Sequence, residues 1–148
     1  FGFPGMTVLQ FAFGSAPQAP TFLPHNYPRA VVSYTGTHDN DTTVGWWTSI
    51  GEGDSTRSQE DIVKERAFCR AYLNTDGREI HWDFIRAVLA SVADLAIMPV
   101  QDVLGLGSEA RMNLPGNTSG HWRWRLTPGA LSPHQAERLR TLVELYGR

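Results

Sequence analysis

Two short runs that are apolar on both sides constrain this chain more than any other feature. Thr7-Val8-Leu9-Gln10-Phe11-Ala12-Phe13, bounded by Pro4-Gly5 and Gly14-Ser15, is rich in β-branched and aromatic residues and predicts a strand. Ala30-Val31-Val32-Ser33-Tyr34 predicts a second. Strands that do not alternate polar with apolar are buried on both faces, which is the condition of a parallel sheet covered by helices. Helix-period segments follow them, so the expected class is α/β.

The firmest helix is predicted over Trp82 to Ala96, where Ile85, Val88, Leu89 and Val92 recur at i, i+3, i+4 and i+7. Thr56-x-x-Gln59 fits a capping box and opens a charged helix running to about Tyr72, stopped at Asn74-Thr75-Asp76-Gly77. Ser132-Pro133-x-Gln135 combines an N-cap, a first-turn proline and a reciprocal cap. Leu139, Leu142, Val143 and Tyr146 then share a face, and Gly147 ends the last helix. Ile97-Met98-Pro99-Val100 reads as a short third strand ahead of a loop punctuated by Gly105 and Gly107.

The 148 residues and their 41% hydrophobic content suffice for one domain or part of one. Three strands are few for an α/β sheet, and the chain starts at Phe1 without Met, so a segment of a longer polypeptide is expected. Thirteen basic against fifteen acidic residues, with arginines scattered among carboxylates, give no electrostatic footprint for nucleic acid. No apolar run approaches the roughly 18 residues of a membrane span. A lone Cys69 excludes a disulfide framework within the chain and fits a reducing compartment, so a cytoplasmic protein is expected. The sequon Asn117-Thr118-Ser119 would matter only in a secreted protein.

In parallel α/β folds, functional residues sit in loops after the carboxyl ends of strands. That rule selects His38-Asp39-Asn40-Asp41, which follows the second strand. Such a cluster fits sugar hydroxyls, a metal ion or the cap of the next helix. A calcium loop fits poorly, with Val44 at its sixth position and Ile50 at its twelfth. His25, His81, His121 and His134 show no ligand spacing, so no metal is expected, and no cofactor is implied. Gly105-Leu106-Gly107-Ser108 lacks the lysine and third glycine of a phosphate cradle. Trp46, Trp47, Trp82, Trp122 and Trp124 suit either sugar-stacking surfaces or a sheet-helix core, with Trp82 read as core. Trp122 and Trp124, alternating with Arg123 and Arg125, suit a short strand or rim segment as well as a binding surface.

Several longer motifs stand in a fixed order: Pro4-Gly5-Met6-x-Val8-Leu9-Gln10-Phe11-Ala12-Phe13, Leu23-Pro24-His25-Asn26-Tyr27, and Tyr34-Thr35-Gly36-Thr37-His38-Asp39-Asn40-Asp41-Thr42. Further on come Pro99-Val100-Gln101-Asp102-x-Leu104-x-Leu106-Gly107-Ser108-Glu109-Ala110-Arg111-Met112-Asn113-x-Pro115-Gly116 and Trp122-x-Trp124-Arg125. Over nearly its whole length the chain resembles the C-terminal part of the 4-α-glucanotransferases, the amylomaltases and disproportionating enzymes. The resemblance implies about strands 6 to 8, with helices, of a (β/α)₈ TIM barrel, so that residues 1–148 would be a catalytic barrel truncated on its N-terminal side. It implies retaining transfer of α-1,4-glucan segments between maltooligosaccharides in starch, glycogen or maltodextrin metabolism. Asp39 would be the carboxylate that grips the sugar in the transition state, with His38 donating to the same sugar. By the same analogy Phe11 walls the acceptor side and Asn113 contacts a hydroxyl. The nucleophile and acid/base would lie in the rest of the barrel upstream of Phe1, leaving this chain inactive alone. The other readings are a saccharide-binding α/β module without bond-making groups and a purely structural α/β domain.

Overall fold

A computed structural model describes residues 2–51 and 57–148. Three strands, β1 (Gly5–Val8), β2 (Val31–Tyr34) and β3 (Leu95–Ile97), form one parallel sheet in the order β1-β2-β3. Thr7, Ser33 and Ala96 share one row of the register, and Thr7 and Ser33 are buried. Met6, Val32 and Leu95 form the adjacent row on the opposite face, where Met6 and Leu95 are 61% and 55% exposed. The parallel arrangement expected from two-sided apolar strands is present.

Five helices accompany the sheet among the described residues: α1 (Thr43–Thr48), α2 (Gln59–Leu73), α3 (Ile80–Ala90), α4 (Val100–Leu104) and α5 (Pro133–Leu145). The first strand is shorter than the expected Thr7–Phe13. It stops at Val8 and turns into a 3-10 helix over Leu9–Phe13, so Phe11 sits in a turn beyond the strand. Leu9, Ala12 and Phe13 are all buried, at i, i+3 and i+4, a spacing that a strand would divide between two faces. The α3 helix starts two residues early and ends at Ala90 rather than Ala96. Ser91 is extended and its hydroxyl bonds the Val88 carbonyl, which leaves Val92 outside the helix and 62% exposed.

The third strand occupies Leu95–Ile97 rather than Ile97–Val100. Pro99 has no N–H for a ladder and instead caps α4. Ser58 caps α2 by accepting from the Asp61 N–H, while Thr56 of the expected capping box lies outside the described residues. The α2 helix ends on Asn74 in the left-handed conformation at φ 52°. The capping box of α5 forms as its sequence dictates, with both Ser132 and Gln135 engaged. No helix among the described residues is long and apolar enough to cross a membrane.

The main core lies between the sheet turn, α1, α2 and α3, with Phe84 at its centre. Its ring centroid is 5.7 Å from Phe13 and 5.4 Å from Trp46. A second cluster of Trp82, Ile85, Leu89 and Val103 receives Leu139, Leu142 and Val143 from α5 and Tyr146 from its C-cap, so the shared face of that helix is its packing face. Arg138 lies over Trp82 at 4.4 Å and makes a two-pronged contact with Glu79. Cys69 is fully buried, and burial pushes its thiol pKa up to about 12, far from a reactive thiolate. Phe84→Ala is expected to cost about 3–5 kcal/mol, read as a lowered thermal midpoint. An unchanged midpoint would mean that Phe84 is not central to the core.

Candidate functional site

Segments that follow β1, β2 and α4 line one cleft of about 1090 Å³. The turn after β1 contributes Gln10 and Phe11, the loop after β2 contributes Asp39 and Asp41, and the segment after α4 contributes Ser108 and Arg111. Trp46 from α1, Arg57 just ahead of α2 and Glu65 from α2 also line the cleft. Arg57 ion-pairs with Glu65 at 2.9 Å and lies over the Trp46 ring.

Backbone and side chain together knit these loops. Gln10 Nε2 donates to the Asp41 carbonyl at 2.8 Å. Asn40 Oδ1 accepts from both the N–H and the hydroxyl of Thr37, three residues earlier, and so closes the turn of the loop. Arg111 Nη2 donates to the Asp39 carbonyl at 2.8 Å, and the Asn113 N–H donates to the His38 carbonyl at 3.0 Å. A Cβ on Gly36 would meet Gln10 Nε2 at 2.7 Å. Gly36→Ala is therefore expected to push Gln10 off Asp41 and to cost about 1 kcal/mol, read as a lowered thermal midpoint. An unchanged midpoint would show that this contact gives way freely.

The two acidic residues of the loop differ in what they face. Both oxygens of Asp41 are engaged, Oδ2 by Ser108 Oγ at 2.6 Å and Oδ1 by the Thr42 N–H at 2.8 Å. Asp39 is exposed, and on its Oδ1 stand Asn113 Nδ2 at 2.6 Å and His38 Nε2 at 3.3 Å. Its Oδ2 has no hydrogen-bond partner among the described residues. Asp39 thus faces the cleft with an oriented carboxylate and an acceptor to spare. His38 stacks near Trp122 at 5.0 Å between centroids, and Trp122 holds φ 61° in an irregular rim segment rather than a strand.

All four residues singled out in the sequence are located. Asp39, His38 and Asn113 are brought together, although Asn113 lies 74 positions from Asp39. Phe11 lines the same cleft, half exposed and edge-on to Phe22 at 5.5 Å. Gln10, Arg111 and Ser108, which hold the loop, were not singled out, because nothing local marks them as its partners. No group of three or more His, Cys, Asp or Glu able to hold a metal occurs among the described residues.

Behind the cleft lies Asp102, in the first turn of α4, with its carboxylate buried. Burial raises its pKa above the ordinary carboxylate value, opposed by hydrogen bonds from Thr35 and Thr43 and by nearby His81. A raised folded pKa means that the native state holds the proton more tightly than the unfolded chain. The ionised group therefore costs stability above that pKa, and the cost is relieved as pH falls through it toward the unfolded value near 3.9. Asp102→Asn is expected to equal or exceed the parent's thermal midpoint at neutral pH, with the gap closing on acidification. A gap that widens on acidification would mean that the folded state lowers the Asp102 pKa rather than raising it.

The family model for the 4-alpha-glucanotransferases, glycoside hydrolase family 77, matches residues 1–132. The chain belongs to this family. The 4-alpha-glucanotransferase of Thermus thermophilus is 51% identical over 152 residues, an alignment covering 97% of this chain and 28% of that protein. A 4-alpha-glucanotransferase of Arabidopsis thaliana, described as chloroplastic/amyloplastic, is 43% identical over 99% of this chain and 24% of its own length. Among solved structures, the amylomaltase from Streptococcus agalactiae in complex with acarbose matches with a TM-score of 0.85 at 29% identity, covering 99% of this chain and 28% of that one. The chain thus spans about a quarter of the length of these 4-alpha-glucanotransferases. With plastid and bacterial members both among them, membership of the family does not by itself select the cytoplasm.

Proposed function

We propose that this chain is the C-terminal portion, about strands 6 to 8, of the (β/α)₈ barrel of a retaining 4-α-glucanotransferase. One observation carries the reading: Asp39 is oriented by Asn113 and His38 while Oδ2 is left to the cleft. A carboxylate held this way accepts hydrogen bonds from sugar hydroxyls, and those bonds strengthen as the ring distorts and gains positive charge. Asp39 then stabilises the transition state without making a bond itself. His38 donates to the same sugar, Asn113 orients Asp39 and contacts a hydroxyl, and Phe11 covers an apolar sugar face on the acceptor side.

Retaining transfer also needs a nucleophile and an acid/base carboxylate about 5–5.5 Å apart, with a covalent glycosyl intermediate. These two belong to the remainder of the barrel, upstream of Phe1. The substrates are α-1,4-glucans and maltooligosaccharides, in keeping with the acarbose held by the amylomaltase neighbour. The reaction draws on no cofactor, and we place the enzyme in the cytoplasm. The test is the product ladder from maltotriose in the longer enzyme. Transfer gives glucose together with longer α-1,4-glucans, whereas a saccharide-binding module would bind maltotriose and leave it intact.

A further inference from the structure

Asp102 is 1% exposed, and its carboxylate bonds the two residues that bracket the loop carrying His38 and Asp39. Thr35, just after β2, donates through Oγ1 to Oδ2 at 2.6 Å. Thr43, the first residue of α1, donates through its N–H to Oδ1 at 2.8 Å and through Oγ1 to Oδ2 at 2.9 Å. Both threonines are fully buried. Loop 36–42 therefore leaves and re-enters the fold at points fastened to one side chain from a third element. Gln10, Arg111 and Asn113 hold the middle of the loop through its carbonyls, but among the described residues Asp102 is the side chain that bonds on both sides of it.

We propose that Asp102 is a positioning residue for glucan transfer, which ties Thr35 to Thr43 and so fixes the path of loop 36–42 and the direction of the Asp39 carboxylate. The inference rests on the reading of Asp39 as the group that acts on the sugar. A buried carboxylate is a poor choice if cohesion alone were needed, since apolar residues of similar volume commonly serve stability as well or better. What it supplies is geometry, because two oxygens accept three bonds whose donors lie on opposite sides of the loop. A displacement of about 1 Å at a group that acts in the transition state can lower the rate a hundredfold. Such a loss falls on kcat more than on KM when the interaction strengthens only in the transition state.

The experiment compares Asp102→Ala, Asp102→Asn and Asp39→Asn in the full-length enzyme carrying this sequence, at a temperature where each is folded, with maltotriose as substrate. Asp102→Ala is expected to lose at least tenfold in kcat with KM within about twofold of the parent. Asp102→Asn recovers most of that loss, since its oxygen still accepts from the Thr43 N–H and its amide donates to the two hydroxyls. A residue needed only for stability would lower the melting temperature and leave kcat of the folded protein unchanged, which overturns the proposal. Equal losses in the Ala and Asn variants would overturn it too, by pointing to charge rather than to position. If Asp102→Ala does not fold, Thr35→Val and Thr43→Val each remove one bond to Oδ2 while keeping the shape. A fall in kcat in either supports the proposal, and parental kcat in both overturns it. If Asp39→Asn keeps full transfer, the underlying reading fails instead, whatever the Asp102 variants do.

Discussion

Asp39→Asn in the full-length enzyme is expected to lower glucan transfer by about two to three orders of magnitude while leaving the melting temperature nearly unchanged. The size follows from what the substitution removes. Asparagine keeps the volume and can still accept on one oxygen, but it loses the negative charge that faces the developing cation of the sugar. The fold gives little reason for instability, because Asp39 is exposed and its partners His38 and Asn113 are exposed and half-buried. Initial rates of glucose release from maltotriose, set beside a thermal melt, check both halves. Transfer within threefold of the parent would remove Asp39 from the chemistry. A large fall in melting temperature would turn its role into a structural one.

The second large effect concerns the polypeptide taken by itself. Met6, Leu95 and Ile97 remain exposed on one face of the sheet, at 61%, 55% and 46%. Among the described residues β1 and β3 each pair on one side alone, so both sheet edges present unpaired backbone groups. Exposed apolar edges of this kind template association. Expressed alone, residues 1–148 are expected to elute as oligomers or to precipitate, measured by size-exclusion chromatography with light scattering. A monodisperse species of 16.5 kDa with a sharp unfolding transition would contradict this. The remainder of a closed barrel would cover both edges and the apolar face at once.

Local chemistry made part of this fold legible. The Ser132-Pro133-x-Gln135 box marked the start of α5 because capping is settled within four residues. The parallel sheet followed from strands with no polar face. Boundaries fared worse where tertiary packing decided them. Leu9–Phe13 has β-forming composition, yet its apolar residues are buried at helical spacing. Val92 extended the apparent period of α3 although it lies exposed beyond the helix end.

The site divided in the same way. The position of His38-Asp39-Asn40-Asp41 after a strand made it a candidate, but nothing local separated Asp39 from Asp41. Their difference comes from Ser108 and Asn113, 67 and 74 positions away. Asn113 was reached only through resemblance to the family. Asp102 stands in a family motif that gives it no role, and its bonds to Thr35 and Thr43 span 67 and 59 positions. Contacts at such separations leave no period or cap in the sequence.

On the proposed reading this chain supplies one wall of a glucan-transferring site whose bond-making carboxylates lie elsewhere in the barrel. Glucose release from maltotriose by residues 1–148 alone, measured beside the same protein extended upstream, decides it. Release is expected from the extended protein and none from the short chain. Release by the short chain would mean that Asp39, Asp41 or Asp102 carries the chemistry unaided, and that reading would fall.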